Sequence, residues 1–380
     1  RENYNMIYRL DAMEAYNKRL VKKIRVTGIT QNGTSSTDSY IYFVGINLSS
    51  GNPTATIEFN FNTATGTKKI TRTVNEGYNL YDNSNGREEY KNNFIVTRID
   101  GRDNSLEFMN GLKLFAGEVT GKENEDNIRA IQIRETIKAH LERERQLFYK
   151  GIKVLSLFFI DEVANYRVYG KGSDYSNGKY ADMFEKIYDE VVEETKKELD
   201  LYPEYLAYLD SIETKKTHAG YFSQDKKGHF TESKLTDKKE KTSDDVDAYN
   251  LIMKDKELLL DRDPKKSPVR FIFSHSALRE GWDNPNVFQI CTLKQSGSDV
   301  RKRQEVGRGL RLCINENGER MDESVLGNNV HNINCLTVIA SESYEKFAKE
   351  LQTEFAESIG DRPVKVTAEL FRGRELVDKE

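Results

Sequence analysis

The 380-residue chain sets 58 Lys and Arg against 62 Asp and Glu, for a net charge of −4, with 32% charged and 37% hydrophobic residues. That length buries a sizeable core and holds two or three domains, and the near-neutral balance excludes a global basic field for nucleic acid, leaving only local stripes for that task. Three widely spaced cysteines, Cys291, Cys313 and Cys335, lack a CxxC pair, and no apolar run approaches the roughly 20 residues of a membrane span. These features point to buried, inert thiols in a reducing cytoplasm, with no metal site and no membrane partner. No signal peptide is visible, and a start at Arg1 rather than Met suggests a piece of a longer protein.

Residues 1–23 read as the helical tail of an upstream lobe, with a helix from Tyr4 to the basic cluster ending at Lys23. Residues 24–122 change texture to Thr, Asn, Gly and Tyr with short alternating runs. In ATIEFNFN, Ile57, Phe59 and Phe61 point one way and Thr56, Glu58 and Asn60 the other, so this segment is expected to be a β-rich accessory domain, a small barrel or sandwich. A connector helix follows within residues 123–150, with Ile133, Ile137 and Leu141 on one face.

From Gly151 the pattern alternates strand and helix. KVLSLFFI is a continuous apolar run suited to a strand buried on both faces. A helix from Tyr180 to about Leu209, a strand around THAGYFS, a charged helix from Val246 to Leu260 and the strands VRFIFS and VFQICTL come next. SDVRKRQEVGRGLRL reads as a helix capped by Ser298 or Asp299, and INCLTVIA and a helix from about Ser343 to Ile359 complete the set. Residues 151–360 therefore predict an α/β open parallel sheet. The polar stretch 225–245 reads as a surface loop, and 361–380 as the start of a linker.

The chemistry concentrates between Ser274 and Ile314. On the predicted helix, Gln304, Arg308 and Arg311 stand at i, i+4 and i+7 and share a face. Two guanidiniums so placed suit the charge that builds on a transferring phosphoryl group, a task in which an arginine contributes roughly 10³–10⁵ in rate. Upstream, SALREGWDNPNV leaves the end of a strand, where open α/β sheets gather their ligands. Gly281 lets backbone pass close to a ligand, and the lone tryptophan, Trp282, suits packing better than stacking. The acids of LSLFFIDEVANY look like a Mg²⁺-binding box, yet no GxxxxGK[ST] loop occurs anywhere in the chain. Asp161 and Glu162 are therefore read as ending a strand without a catalytic role. Neither a nucleophile arrangement nor the acid-lysine set of a nuclease is visible.

In order and spacing, ALREGWDNP followed by RQEVGRGLR resembles motifs V and VI of superfamily-2 helicases and translocases, and most closely the Res subunits of type III restriction endonucleases. The resemblance is strong from about Val269 to Ile314, moderate at KVLSLFFIDEVANYR (as motif IV) and THAGYFS (as motif IVa), and weak in the β-rich segment. It implies the second RecA-like lobe of an ATP-dependent DNA translocase and endonuclease. By that resemblance Arg308 and Arg311 contact the γ-phosphate, Gln304, Gly281, Asp283 and Gly307 form the nucleotide site, and Ser276, Arg279, His218, Gly220 and Ser223 touch the nucleic-acid backbone. The implied cofactors are ATP and Mg²⁺, with Mg²⁺ ligands on another lobe. The implied partners are double-stranded DNA, a DNA methyltransferase (Mod) subunit and the protein's own first RecA-like lobe. The competing readings are a DNA-repair or RNA helicase lobe of the same superfamily and a non-enzymatic DNA-binding module.

Overall fold

The computed structural model describes residue 10 and residues 12–31, 39–48, 51–121, 125–170, 175–197, 199, 202–224, 230–231, 258–275, 284–294 and 305–341. Ten strands share one sheet: β1 (Lys23–Gln31), β2 (Ile41–Asn47), β3 (Thr54–Thr63), β4 (Gly66–Val74), β5 (Glu118–Val119), β6 (Leu155–Ile160), β7 (His218–Tyr221), β8 (Phe271–His275), β9 (Val287–Thr292) and β10 (Cys335–Ser341). Their spatial order is β7-β8-β6-β9-β10-β1-β5-β2-β3-β4. From β7 through β5 every neighbouring pair is parallel, and from β5 onward the pairs are antiparallel. This is the expected α/β architecture, a RecA-like open parallel sheet with an antiparallel accessory region.

Every residue of β6 and β9 is buried, which is why both read as unbroken apolar runs. On one face lie α2 (Glu125–Phe148), α3 (Lys179–Lys196) and α4 (Pro203–Asp210); α1 (Ala12–Asn17) precedes β1. The apolar stripe of α2, Ile133, Ile137 and Leu141, joins Phe158, Phe184, Phe271 and Cys291 in the core of that face. Burying each such side chain stabilises the fold by about 1.5–3 kcal/mol. On the opposite face Val306 and Leu310 cover Leu157, Ile290, Leu336 and Val338.

The β-rich segment is continuous with this sheet rather than a separate body. Along β2, Ile41 and Phe43 enter a core shared with Leu106, Phe108 and Leu114 of a small three-stranded sheet, and Tyr40 and Tyr42 turn to the α2 side. Ile57 and Phe59 face the same β core, as their alternation predicts. Where the chain returns at Gly117, φ is +89° and a Cβ would stand 2.0 Å from the carbonyl oxygen of Gly28, so only glycine fits this joint.

Several sequence expectations change here. The helix expected over Tyr4–Lys23 is, among the described residues, only Ala12–Asn17, because Val21 bridges to Arg311 and Lys23 begins β1. β1, assigned from sequence to the β-rich segment, runs parallel to β10 from Lys23 to Ile29. The single helix expected from Tyr180 to Leu209 is two, since Pro203 opens α4 and cannot continue a preceding helix. The expected helix over 246–260 lies outside the described residues except for the short turn Leu258–Leu260, and that over 343–359 lies wholly outside them. Within the expected loop 225–245, only Phe230–Thr231 are described; they pair with Ser223–Gln224.

Candidate functional site

Parallel pairing brings the carboxyl ends of β6, β7, β8 and β9 to one edge of the sheet. β6 is flanked by β8 on one side and β9 on the other, and the chain continues from β8 to β9 across it. Such a reversal of strand order opens a crevice at the carboxyl edge, the usual ligand position in open α/β sheets. The segment leaving β8 carries Ser276, Arg279, Gly281, Trp282 and Asp283, all of which, with Gln304, lie outside the described residues.

The arginine segment is anchored by buried polar bonds. Lys294, just past β9, donates to Glu305 Oε1 at 2.6 Å, and both side chains are nearly sealed from solvent. Glu305 Oε2 is also buried, without a hydrogen-bond partner among the described residues. Residues 305–307 are helical, Arg308 and Gly309 turn, and Gly309 N and Leu310 N donate to Val306 O and Gly307 O. Leu310 O then accepts from Lys22 N at 2.8 Å, and Arg311 bridges to Val21.

The helix expected to run through Leu312 therefore ends at Gly307, and Arg308 and Arg311 do not share a helical face. Two glycines lower helix propensity by about 1 kcal/mol each, and the long-range bonds to Val21 and Lys22 take the backbone into an extended path. Arg308 is half-buried; burial lowers its pKa, with Glu305 opposing. Arg311 is exposed. At Gly307 a Cβ would meet nothing within 4 Å among the described residues. Gly309 is the constrained one: its Cβ would lie 2.6 Å from Leu336 Cδ1 and 3.1 Å from Ile290 Cδ1. Gly309→Ala is expected to cost about 1–3 kcal/mol by overpacking, read as a lower urea midpoint at unchanged slope.

Downstream the same frame continues. Asn286 Nδ2 donates to Ile314 O while Ile314 N donates to Asn286 Oδ1, at 3.0 and 2.9 Å. Asn334 Oδ1 accepts from Cys313 N at 2.8 Å. The stretch after Asp283 and the stretch after Arg311 are thus held together by side chains that imitate backbone pairing.

The expected backbone-contacting residues fare differently. His218 on β7 is turned inward, its Nδ1 3.0 Å from Tyr166 Oη and its Nε2 3.3 Å from Glu185 Oε1, among Phe184 and Phe273. Burial lowers its pKa, with Glu185 opposing. Gly220 is covered by Tyr166 and Phe222, whose ring atoms would lie 2.5 and 2.6 Å from a Cβ. Both positions are packed against neighbouring side chains at this sheet edge. Ser223 pairs through its backbone with Thr231. Asp161 Oδ1 accepts from Glu162 N and Asn165 Nδ2 at 2.9 and 2.6 Å, stabilising the turn after β6.

Chemically, a half-buried and an exposed guanidinium suit a polyanionic phosphate ligand, but only Arg308 follows the turn that leaves the carboxyl edge; the backbone of Arg311 lies beside the amino ends of β1 and β10. No group of three or more His, Cys, Asp or Glu side chains that could hold a metal occurs among the described residues. The cysteines are buried, and burial pushes Cys291 up to about 12 and Cys313 to about 11. Lys22, Lys294 and Glu305 escaped the sequence reading. Lysine is almost never fully buried unless paired; Lys22 finds its carbonyl partners 263 and 289 residues away, and although Glu305 is only 11 residues from Lys294, neither residue's local pattern announces burial.

The sheet and its edge define a RecA-like α/β lobe, and the comparisons narrow its relatives. The chain is similar to the type III restriction-modification enzyme EcoP15I Res subunit of Escherichia coli, 42% identical over 212 residues, 54% of this chain and 20% of that protein. It is similar to the EcoPI Res subunit of Escherichia phage P1, 39% identical over 218 residues, 56% of this chain and 20% of that protein. To the StyLTI Res subunit of Salmonella typhimurium it is 33% identical over 272 residues, 66% of this chain and 25% of that protein. The matches thus span about a fifth to a quarter of these curated relatives. No family model matches the chain. The resemblance drawn from residues 269–314 thus extends, in curated relatives, over more than half of the sequence.

Proposed function

We propose that this chain is the second RecA-like lobe, with its β-rich accessory region, of an ATP-dependent DNA translocase and endonuclease of the type III Res class. It supplies the half of an ATP cleft that carries motifs IV to VI and part of the DNA track, and works in the cytoplasm. The observation that carries the reading is the pair Arg308 and Arg311 within the segment that resembles motif VI, which leaves the carboxyl edge at the buried Lys294–Glu305 pair and is fixed at its far end, beside the amino ends of β1 and β10, by the bonds of Val21 and Lys22.

In this reading Arg311, exposed on an anchored backbone, reaches the γ-phosphate, and Arg308 adds a second donor from a half-buried position. Hydrolysis of ATP supplies the energy for movement along double-stranded DNA. The chain's own part is to place two permanent positive charges where phosphoryl charge develops. Mg²⁺ and the P-loop belong to a partner lobe, and site recognition to a Mod methyltransferase subunit. Asp283, Gly281, Gly307 and Gln304 complete the nucleotide side, and Ser276 and Arg279 the DNA side. Without a P-loop the 380 residues alone are expected not to turn over ATP.

The test is Arg311→Ala in a full-length Res protein carrying this segment. Expected is a loss of DNA-stimulated ATP turnover by about 10³-fold or more with DNA affinity kept. A uniform fall in DNA affinity with a shallower salt dependence, at unchanged turnover, would instead identify a DNA-binding module in which the arginine meets DNA phosphate.

A further inference from the structure

Lys294 and Glu305 form a closed ion pair at the carboxyl edge of the sheet. Lys294 stands just past β9, and its neighbour Leu293 N donates to Phe159 O near the end of β6, so the pair sits where β6 and β9 deliver their carboxyl ends. The ammonium donates to Glu305 Oε1 at 2.6 Å and lies 5.6 Å from the centre of the Phe159 ring. The two side chains are only 8% and 4% exposed. Glu305 Oε2 is buried too and has no hydrogen-bond partner among the described residues. Arg308 follows one turn along the chain, half-buried, with Glu305 opposing the fall that burial imposes on its pKa.

An acid and an arginine three residues apart on a helical turn are natural partners, because such side chains are neighbours on the helix surface. Here a lysine from the end of β9 takes the acid instead, and neither Glu305 oxygen bonds Arg308. Stability does not account for the choice. A buried ion pair must offset the desolvation of two charges, and apolar side chains of similar volume often serve as well. Electrostatics does account for it: with Lys294 in place, Glu305 exerts little net pull on the guanidinium one turn away. Without Lys294, a buried carboxylate with both oxygens unfilled would stand within the field of Arg308. Burial makes such an anion costly to leave alone, and a guanidinium that engages both oxygens is the strongest bond open to it.

We propose that Lys294 is a positioning residue for Arg308: by occupying Glu305 it withholds that acid from the arginine and keeps the guanidinium on the phosphate side of the crevice. The inference rests on the reading of Arg308 as a γ-phosphate contact. Lys294 and Glu305 themselves touch neither nucleotide nor DNA in this role. The pair acts through charge, so what the loss of the lysine does should be undone by removing the charge of its partner.

The experiment compares Lys294→Met, the double variant Lys294→Met with Glu305→Gln, and Arg308→Ala in a full-length Res protein carrying this segment. It reads kcat, the KM for ATP, DNA affinity and thermal unfolding for each. Lys294→Met is expected to lower kcat by about 10–100-fold, short of the loss in Arg308→Ala, with KM and DNA affinity within about twofold of the parent. The double variant, which removes the competing charge, is expected to return kcat to within about threefold of the parent. Lys294→Gln, alone and with Glu305→Gln, carries the same comparison if the methionine variants do not fold, since an amide donates to the acid without neutralising it. A folded Lys294 variant with the parent's kcat overturns the inference. So does a double variant as slow as the single one, the mark of lost packing rather than released charge. If Arg308→Ala keeps full turnover, the reading of Arg308 as a phosphate contact is at fault. If Arg308→Ala is inactive while the Lys294 variants are normal, only the role of Lys294 falls.

Discussion

Arg308→Ala in a full-length Res protein carrying this segment is expected to reduce DNA-stimulated ATP turnover by about 10³–10⁵-fold, with the fold and DNA affinity intact. The size follows from where the guanidinium sits. Arg308 is half-buried, follows the last helical residue, and lies within the field of Glu305, which Lys294 pins at 2.6 Å. A cation held in a partly desolvated setting before reaction needs little reorganisation when phosphoryl charge develops, so removing it forfeits preorganised stabilisation. The side chain fills no central core position, so stability should change by less than about 1 kcal/mol. Arg308→Lys should recover little, because an ammonium lacks the planar fork that engages two phosphate oxygens at once. Steady-state turnover alongside a thermal melt checks both halves. A variant that hydrolyses ATP at the parent's rate would remove Arg308 from the mechanism.

The second large effect concerns stability. Arg270→Met is expected to destabilise the fold by about 3–5 kcal/mol, a large part of the 5–15 kcal/mol that ordinary domains possess. Arg270, just before β8, is fully buried, donates to Glu144 Oε2 at 2.6 Å and bonds Tyr188. Glu144 on α2 also accepts from Tyr205 Oη at 2.9 Å and Tyr208 Oη at 3.3 Å, and His140 Nε2 stands 3.5 Å away. His140 Nδ1 pairs with Ser156 Oγ, which donates to Gln289, so the network reaches β6 and β9. Methionine fills much of the space and leaves a buried carboxylate without its cation, the costly half of a broken ion pair.

The same network fixes a pH dependence. Burial acts to raise the pKa of Glu144, but Arg270, then His140 and Tyr205, outweigh it and hold the carboxyl at about 2, below its ordinary 4.5. The unfolded chain then binds more protons than the folded one between those values. The contribution is fully present above about 4.5 and is lost as pH falls through about 2. In Arg270→Met that acid-dependent loss should shrink, because the depression itself is gone. Urea unfolding at pH 7 and at pH 3 measures both effects; equal loss of stability in acid for parent and variant would exclude Arg270 as the cause.

Much of this molecule was legible from local pattern, and the reasons are specific. The unbroken apolar runs at Leu155–Ile160 and Val287–Thr292 could only be strands covered on both faces, and they are central in the sheet. Ile133, Ile137 and Leu141 announced the buried stripe of α2, and Ile57 and Phe59 the inner face of β3. The resemblance of ALREGWDNP and RQEVGRGLR placed the chain beside Res subunits before any geometry was known, and relatives 33–42% identical agree. Helical spacing misled at one point, where i, i+4 and i+7 implied a shared face that Arg308 and Arg311 do not have. Periodicity states what a helix would present, and Gly307 with Gly309 ends the helix first.

What sequence determined by itself is therefore the kind of sheet, its buried runs and the segment that bears the arginines, because burial and helix propensity are written in neighbouring residues. Tertiary structure alone decided that β1 joins the parallel sheet beside β10, and that the antiparallel strands extend that same sheet. It alone turned His218 inward onto Tyr166 and Glu185 and set Lys22 beneath Arg311. Those outcomes depend on donors and acceptors that must be paired once water is excluded, and the partners are far apart in the chain. A lysine at position 22 looks like any surface lysine until the fold brings two buried carbonyls to its amine.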